Sequence, residues 1–357
     1  MQSEDEEVVS EVCLAGSRAE SSGWAVWRIS YGPLTCLQES ESTSEDHTGS
    51  CTVSENRRKR ELEADSDDGE EQDSDGDWRP RRRRKQIKSV LNVRVKASST
   101  AKLCGLQLWG AALLLSDYIL HFANALVGQV VVELGAGPAM PGLIAARICK
   151  KVFVTDFDEE VLWNCQHNIQ ANGLSGSCVA KKLDWEEANM LNQGDDNGGT
   201  SDSAARARGG KVEAGKKEEV SKTGDAFGWT EEDDKDLAEA TILFAADVIY
   251  SNHITDHFIR QMQALLSERR GRELILAIEK RTNFTLPELR STSREYDHFF
   301  SRIAAPLDAS AGSSFISERI PVDFPQHFSH SHSEQLELWR IRVALSRAQD
   351  QEDAARC

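Results

Sequence analysis

The sequence lacks several features that would define its class at once. Its 8 cysteines are scattered without a C-x-x-C pair, which argues against a zinc knuckle or a disulfide framework and favours a reduced intracellular compartment. No run reaches the roughly 18 apolar residues of a membrane span, and the acidic start lacks the basic-then-apolar order of a signal peptide. Basic residues are outnumbered, and a net charge of −17 argues against a protein that coats nucleic acid. We therefore expect no membrane partner and no direct nucleic-acid binding.

Charge is segregated in the first 85 residues. Residues 61–77 hold ten acidic side chains and no basic one, and basic clusters at 57–60 and 79–85 flank them. Such a segment repels itself and buries little, so we predict a disordered tail over 1–85. The basic clusters favour nuclear import, with residence in the cytoplasm as well; the alternative is a tail whose charges only solvate it.

A second low-complexity stretch interrupts the remainder of the chain. Residues 193–226 are dominated by Gly, Ser, Asp, Lys and Ala, which cannot repay the entropy of ordering. We predict a disordered insert there, within a folded domain over 86–347, followed by a C-terminal tail over 348–357. A long surface insertion costs little because loop-closure entropy grows only logarithmically with length.

The folded part alternates between strand and helix patterns. This alternation predicts an α/β fold with a mostly parallel sheet covered by helices on both faces. Helices are predicted over 107–126, 141–150 and 159–172. Strands are predicted over 89–96, 129–134, 151–155, 178–183, 241–246, 273–278 and 336–343.

A glycine-rich turn follows the strand that ends near Leu134. The segment from Glu133 reads E-L-G-A-G-P-A, and Gly135 and Gly137 would let the backbone approach a ligand closely. In an open α/β sheet such a turn lies at the carboxyl edge, where ligands bind. Glu133 can shape the turn or accept a hydrogen bond from a cationic amine. The alternative is a tight connection without a ligand, because a glycine-rich turn alone is weak evidence.

The next strand ends in Asp156. It lies 23 residues after Glu133, close to the spacing of about 20 expected for a carboxylate that binds ribose hydroxyls. The alternative role is an ordinary N-cap for the following helix, and the two roles can coexist.

Two further strand ends carry polar or aromatic side chains. Asp184 and Trp185 could accept from an adenine amino group and cover its ring; a surface loop with a packed indole is the alternative. The small Ala246 would leave room for a ligand, and Asp247 and Tyr250 would project at the same edge. Each signal alone is weak, but four strand ends on one sheet edge together predict a binding site.

The sequence resembles the class I, seven-β-strand, S-adenosylmethionine-dependent methyltransferases, within the protein-lysine methyltransferases called methyltransferase family 16. The resemblance covers about residues 90–343 without the insert. It implies a seven-stranded Rossmann-like sheet. Besides the Glu133 turn and Leu183-Asp184-Trp185, it rests on the stretches 105–119, 241–250, 279–286, 296–299 and 335–339.

The resemblance implies roles for individual residues. Asp247 and Tyr250 fill the family's Asp/Glu-x-x-Tyr motif at the methyl-transfer edge. One departure is Ala139, which stands where a third glycine is common and raises the question of cofactor affinity. The cofactor pocket would be formed by Trp109, by Gly135, Ala136 and Gly137 along the methionine part, by Asp156 at the ribose, by Trp185 at adenine, and by Ala246.

The resemblance further implies S-adenosyl-L-methionine as cofactor and a lysine of a partner protein, a nuclear nucleic-acid-binding one, as substrate. Alternatives are a methyltransferase that acts on a small molecule or a nucleic acid, a non-catalytic module of the same fold, and an NAD-dependent dehydrogenase. The turn G-A-G-P-A departs from G-x-G-x-x-G, which disfavours the dehydrogenase.

Two further sets of charged or potentially metal-binding residues lie outside the predicted site. His253 and His257 have metal-compatible i, i+4 spacing, but the sequence places no Cys or carboxylate beside them, so we expect surface residues and no metal. Lys280 and Arg281 follow a strand end and would meet an acidic partner or lie in a solvated loop.

Overall fold

The computed structural model describes residues 7–9, 12, 18–19, 23–31, 70–72, 78–80, 89–187, 226–285, 290–305, 314–328 and 334–344. The insert predicted at 193–226, apart from Ala226, lies outside these residues, as do the C-terminal tail at 348–357 and the basic cluster at 57–60. Within the described ranges no helix has both the length and the apolarity that crossing a membrane requires.

The described residues up to position 100 contain seven strands. They are β1 (Glu7–Val9), β2 (Arg18–Ala19), β3 (Trp24–Tyr31), β4 (Glu70–Gln72), β5 (Trp78–Pro80), β6 (Ser89–Lys96) and β7 (Ser98–Thr100). β1 pairs with β7, and β2, β3 and β6 form a three-stranded sheet. β4 and β5 form a hairpin within a separate compact unit, residues 32–89.

The strand β3 lies inside the range 1–85 that the charge pattern assigned to a tail. Its side chains alternate between buried and more exposed positions, as expected for a strand with one covered face. The buried members are Ala25, Trp27, Ile29 and Tyr31. Arg94 of β6 lies over the ring of Trp24, with the guanidinium carbon 3.7 Å from the ring centroid.

The remainder of the described chain alternates helices and strands. After a 3₁₀ helix (Ala101–Leu106) come α1 (Gly110–His121), α2 (Ala123–Leu126), β8 (Val130–Leu134), α3 (Met140–Ala145), β9 (Lys151–Asp156), α4 (Glu159–Ala171) and β10 (Cys178–Lys182). The second half holds α5 (Glu231–Glu239), β11 (Ile242–Ala246), α6 (Asn252–Glu268), β12 (Glu273–Glu279), β13 (Asn283–Thr285), β14 (Arg290–Thr292), α7 (Arg294–Ala304), β15 (Ser314–Ile320) and β16 (Leu336–Ala344).

Seven of these strands form one sheet in the order β10-β9-β8-β11-β12-β16-β15. The first five are parallel, whereas β16 is antiparallel to both of its neighbours. The chain leaves β8 in one direction toward β9 and β10 and later returns to its other side with β11. The strand order therefore reverses between β8 and β11, which is the position where open α/β sheets bind ligands beyond their carboxyl ends. The predicted α/β fold with a seven-stranded, mostly parallel sheet is confirmed.

Two strand predictions need correction. The segment 89–96 is a strand as predicted, but it belongs to the three-stranded sheet and not to the large one. The seventh strand of the large sheet is β15, which the hydrophobic pattern missed. Because β15 is an edge strand, four of its seven side chains are exposed and its sequence shows no strong apolar alternation.

The helix boundaries also differ from the prediction at two places. The segment 107–126 is divided into α1 and α2, with Phe122 between them. The helix predicted over 141–150 begins one residue earlier and ends at Ala145.

Three asparagine side chains on α4 and at its C-cap hold strand β6 against the helix. Asn172 accepts from the backbone N–H of Asn92 at 2.9 Å and donates to its carbonyl oxygen at 2.7 Å. Asn168 bonds the N–H and the carbonyl oxygen of Arg94 at 2.8 and 3.2 Å, and Asn164 donates to the same oxygen at 3.0 Å. Side-chain amides thereby satisfy backbone groups that a further strand would otherwise bond. The anchored strand leads into the 3₁₀ helix that forms one wall of the cavity described next.

Candidate active site

One cavity of about 1130 Å³ opens at the carboxyl ends of the parallel strands. All of the site residues predicted from the sequence line it, so the structure brings them together. Their individual roles stay predictions. They are Trp109, Glu133, Gly135, Ala136, Gly137, Asp156, Asp184, Trp185, Ala246, Asp247 and Tyr250.

The glycine-rich turn after β8 requires glycine at two positions. Gly135 and Gly137 have φ values of 65° and 53°, in the left-handed region. A Cβ at Gly135 would lie 2.8 Å from Cγ1 of Val248, and one at Gly137 would lie 2.9 Å from the carbonyl oxygen of Gly105. The turn therefore passes close to the walls of the cavity, which a side chain at either position would prevent.

Ala139 also has a left-handed backbone, with φ of 65° and ψ of 26°, and it is the N-cap of α3. This conformation explains why a glycine is common at the position. The alanine is fully buried and is not among the residues that line the cavity. Its methyl group therefore strains the backbone without narrowing the ligand space.

Glu133 is a buried carboxyl group at the start of the turn. Its Oε2 accepts from the N–H of Gly142 at 2.9 Å, in the first turn of α3. Burial raises the pKa of Glu133 to about 8, and the Gly142 bond opposes this rise. A Cβ at Gly142 would lie only 2.4 Å from Glu133 Oε2 and from Cγ1 of Val154. Glu133 thus shapes the turn, as one of its two predicted roles requires, and still lines the cavity.

Asp156 is held by backbone N–H groups at the end of β9. Its Oδ1 accepts from Phe157 at 2.9 Å and Asp158 at 3.3 Å, and its Oδ2 from Gly137 at 3.2 Å. Burial raises its pKa to about 6, against the effect of these bonds. The single long bond to Oδ2 leaves that oxygen able to accept from a hydroxyl group.

The N-cap of α4 is Asp158 and not Asp156, so the alternative role considered for Asp156 is wrong. Asp158 accepts from the N–H groups of Glu160 and Val161 at 2.8 and 3.2 Å. The sequence held a signal for this assignment, because two glutamates follow Asp158 in the first turn of the helix.

Asp184 and Trp185 follow β10. Oδ1 of Asp184 accepts from the N–H groups of Glu186 and Glu187 at 2.8 and 3.3 Å, so this side chain caps its own turn while it lines the cavity. The Trp185 ring packs against Phe258 with centroids 5.1 Å apart. Trp185 is therefore both packed against a neighbouring ring and part of the cavity wall.

Asp247, Glu279, Arg281 and Trp109 form an arginine cluster in the same cavity. Arg281 makes an ion pair with the Asp247 carboxylate, and its Nε lies 3.3 Å from Glu279 Oε2. The Arg281 guanidinium also lies over the Trp109 ring, 5.0 Å from its centroid. The acidic partner expected for Arg281 is therefore in its own chain. Sequence reasoning missed this cluster because the pairs join ends of different strands.

Tyr250 is 47% exposed at the cavity. Desolvation raises the pKa of its hydroxyl, and nearby carboxylates including Asp156 and Asp247 raise it further. The phenol is therefore neutral at physiological pH. It can wall the cavity or donate a hydrogen bond, but it does not serve as a base.

The structure adds a carboxylate to the histidine pair on α6. Ligand atoms of Glu186, His253 and His257 lie within 4.8 Å of one another, so the sequence-based reason for dismissing a metal there was wrong. However, Arg260 donates to Nδ1 of His257 at 3.2 Å, and a guanidinium beside the ring disfavours a bound cation. We assign this cluster no part in the reaction.

Comparison with known proteins shows which family the chain resembles. A family model described as lysine methyltransferase matches residues 89–196. Methyltransferase-like protein 22 of Homo sapiens is 34% identical over 245 residues, which are 66% of this chain and 54% of that protein. The chain is therefore similar to members of this methyltransferase family. It spans about half the length of the human relative.

Two more distant relatives match shorter segments. Histone-arginine methyltransferase METTL23 of Xenopus laevis is 33% identical over 23% of this chain and 36% of its own length. Protein N-terminal and lysine N-methyltransferase EFM7 of Yarrowia lipolytica is 30% identical over 29% of this chain and 36% of its own length. All three names describe methyltransferases, and two describe protein substrates.

Proposed function

We propose that the protein transfers a methyl group from S-adenosyl-L-methionine to the side-chain amine of a lysine in a partner protein. The observation that carries the proposal is the convergence of five strand ends on one cavity, in a chain that matches a family model described as lysine methyltransferase over residues 89–196. The lysine specificity, the cofactor and the protein substrate are parts of this proposal.

The residues of the cavity fit the cofactor chemically. Asp156 offers a carboxylate oxygen for ribose hydroxyls, and Glu133 offers a buried carboxyl group for a cationic amine. Trp185 offers an aromatic face, and Gly135 and Ala246 keep the wall free of large side chains. The volume of about 1130 Å³ lies slightly above the usual range for ligand sites, which is about 300–1000 Å³.

When bound, this cofactor supplies an electrophilic methyl group on a positively charged sulfur. The chain's own residues must then bring a lysine amine to that group and keep water out. An unperturbed lysine has a pKa of about 10.4, so its neutral form is rare at physiological pH. A desolvated site with nearby positive charge lowers this pKa, and positioning supplies most of the acceleration.

Asp247 and Tyr250 are the residues we assign to the acceptor. Asp247 orients the incoming ammonium, and Tyr250 walls the channel through which it arrives. Both line the cavity, and Asp247 is 6% exposed in its side chain. Among the described cavity residues we find no group placed as a dedicated base, so we assign removal of the proton to water.

Labelling of nuclear proteins tests the proposal. The full chain is incubated with isotope-labelled S-adenosylmethionine and nuclear extract, and labelled proteins are analysed by mass spectrometry. Methyl groups on lysine side chains are the expected result. Label on arginine would contradict the lysine specificity, and cofactor binding without label in any protein would favour a non-catalytic module. Label only in small molecules would favour the small-molecule alternative.

We further propose that the protein acts in the nucleus, on a nucleic-acid-binding protein. The support for the nucleus is the pair of basic clusters at 57–60 and 79–85, whose composition suits an acidic import receptor. The nucleic-acid-binding substrate is only what the family resemblance implies. Fluorescence microscopy of the tagged chain, with and without both clusters replaced by glutamine, tests this. Equal nuclear signal in the two versions would contradict it.

A further inference from the structure

Arg281 places a positive charge at the part of the cavity where the proposed reaction would bind the ammonium group of the substrate lysine. It lies two residues after Glu279, the last residue of β12, and it lines the same cavity as Asp247 and Trp109. Its side chain is 39% exposed, whereas that of Asp247 is 6% exposed. The arginine thus reaches from the solvent side onto a carboxylate that is nearly inaccessible.

The backbone fixes both members of this pair. Asp247 has a left-handed backbone with φ of 56°, and its N–H donates to the carbonyl oxygen of Ala277 at 3.0 Å. The N–H of Lys280 donates to Gln335 at 2.7 Å, and that of Arg281 donates to the Glu279 carbonyl at 2.9 Å. Aspartate tolerates the left-handed region better than most residues, but the conformation is still uncommon. The backbone is therefore shaped to bring this carboxylate and this guanidinium together.

Other ionisable groups face the cluster from neighbouring elements. Glu279 shares the guanidinium, and Tyr250 and Tyr296 line the cavity as neutral phenols, because desolvation raises the pKa of both. Burial also raises the pKa of the Cys104 thiol, as do the charges of Asp156 and Asp247, while Arg281 lowers it. The cluster itself carries two negative charges and one positive charge; beyond it, Glu295 of α7 also lines the cavity.

The charge balance decides what an incoming lysine experiences. Two unpaired carboxylates would attract an ammonium group strongly and hold it protonated, which opposes attack on a methyl group. With Arg281 in place, one carboxylate is neutralised and a positive charge lies beside the amine. We infer, on the basis of the proposed function, that Arg281 is a positioning residue whose charge offsets Asp247, so that the acceptor reaches the methyl donor as a neutral amine.

The alternative is that Arg281 merely occupies the acceptor position and must be displaced by the substrate. The two ideas predict opposite effects of its removal. If the guanidinium only blocks the site, Arg281→Gln should bind substrate more tightly and react faster at pH 7. If its charge is needed, the same change should slow the reaction at pH 7 and leave the rate at higher pH nearly intact.

The first experiment measures binding without turnover. Dissociation constants of S-adenosylmethionine, which is cationic at sulfur, and S-adenosylhomocysteine, which is not, are measured for wild type, Arg281→Gln and Arg281→Lys. In Arg281→Gln, which loses the positive charge, the ratio of the S-adenosylhomocysteine to the S-adenosylmethionine dissociation constant should rise by on the order of tenfold. In Arg281→Lys, which keeps the charge, this ratio should stay at the wild-type value. A purely structural role would change both constants equally, and an unchanged ratio would overturn the inference.

The second experiment measures transfer to bulk nuclear-extract protein at saturating cofactor, at pH 7 and pH 9. The rate of methyl transfer by Arg281→Gln should be about tenfold below that of wild type at pH 7 and within about twofold of it at pH 9. Arg281→Lys should keep the wild-type ratio between the two pH values. The matched control is Arg302→Gln, which removes an arginine that pairs with Asp256 at 3.1 Å outside the cavity.

Three results would contradict the inference. Equal slowing of Arg281→Gln at both pH values would assign Arg281 a structural role. Faster transfer at pH 7 would show that it blocks the site. Failure of wild type to bind either ligand would contradict the proposed function itself, and this inference with it.

Discussion

Two groups of carboxylates in the same cavity are stabilised by different means. Beside the glycine turn, Glu133 of β8 and Asp156 of β9 are buried and accept hydrogen bonds from backbone N–H groups. In the arginine cluster, Asp247 is paired with a side-chain cation. Backbone donors are fixed by the fold, whereas an arginine on the solvent side can respond to an incoming charge. Under the proposed function, the backbone-bonded carboxylates would form a rigid part for the cofactor, and the arginine cluster would form a charge-tuned part for the substrate.

The largest expected effect is that of Asp247→Ala, which tests whether the arginine cluster and the glycine turn have different functions. Asp247→Ala should reduce methyl transfer by on the order of a hundredfold, because it removes the group proposed to orient the acceptor. The dissociation constant of S-adenosylmethionine should change by less than about threefold, since the turn proposed to bind it is untouched. Single-turnover transfer and equilibrium binding on the same preparation measure both. Full transfer activity in this variant would remove the distinction between the two groups.

The second effect tests the rigidity of the turn. Gly142→Ala should lower the free energy of unfolding by about 2 kcal/mol, because the new methyl group meets the Glu133 carboxyl and Val154 at 2.4 Å in a packed interior. The matched control is Gly176→Ala, where no atom lies within 4 Å of the added Cβ and a change below about 0.5 kcal/mol is expected. Denaturant titration measures both variants. Equal effects at the two glycines would show that the turn is adaptable.

The third effect concerns the buried acid of the turn. The folded-state pKa of Glu133, about 8, lies above its value in the unfolded chain, so its contribution to stability is present at low pH and is lost as the pH rises toward 8. Glu133→Gln should remove this dependence. Between pH 5.5 and 8.5 wild type should therefore lose on the order of 2 kcal/mol more stability than the variant.

The control for this measurement is Glu239→Gln, which changes an exposed glutamate paired with Lys150. Its stability should follow the wild-type pH profile. A wild-type profile parallel to that of Glu133→Gln would show that Glu133 ionises without cost in the folded protein.

The smallest effect addresses the unusual alanine of the turn. Ala139→Gly relieves a left-handed alanine but removes a buried methyl group and adds freedom to the unfolded chain, and each of these terms is about 1 kcal/mol. The net change in stability should be below about 1 kcal/mol. Affinity for S-adenosylmethionine should change less than about twofold, because Ala139 does not line the cavity. Isothermal titration measures the affinity, and a tenfold gain would mean that the methyl group does restrict the cofactor.

The sequence predicted the glycine turn better than the arginine cluster for a physical reason. The turn is local: a strand, two glycines and a helix follow one another, and the next strand ends in Asp156 at a regular spacing. The pair of Asp247 and Arg281 joins the ends of β11 and β12, 34 positions apart, and no periodic pattern encodes it. The same contrast explains the strands, because the buried β8 and β9 were visible as apolar runs and the exposed edge strand β15 was not.

The central claim is that this one cavity binds S-adenosylmethionine through Asp156. Thermal unfolding of wild type, Asp156→Asn and the control Asp256→Asn with S-adenosylmethionine or NAD tests it most directly. At 100 times the dissociation constant, S-adenosylmethionine should stabilise wild type and the control by about 2.7 kcal/mol and Asp156→Asn by less, while NAD should have no effect. Stabilisation by NAD alone, or equal stabilisation of all three proteins by S-adenosylmethionine, would contradict the account.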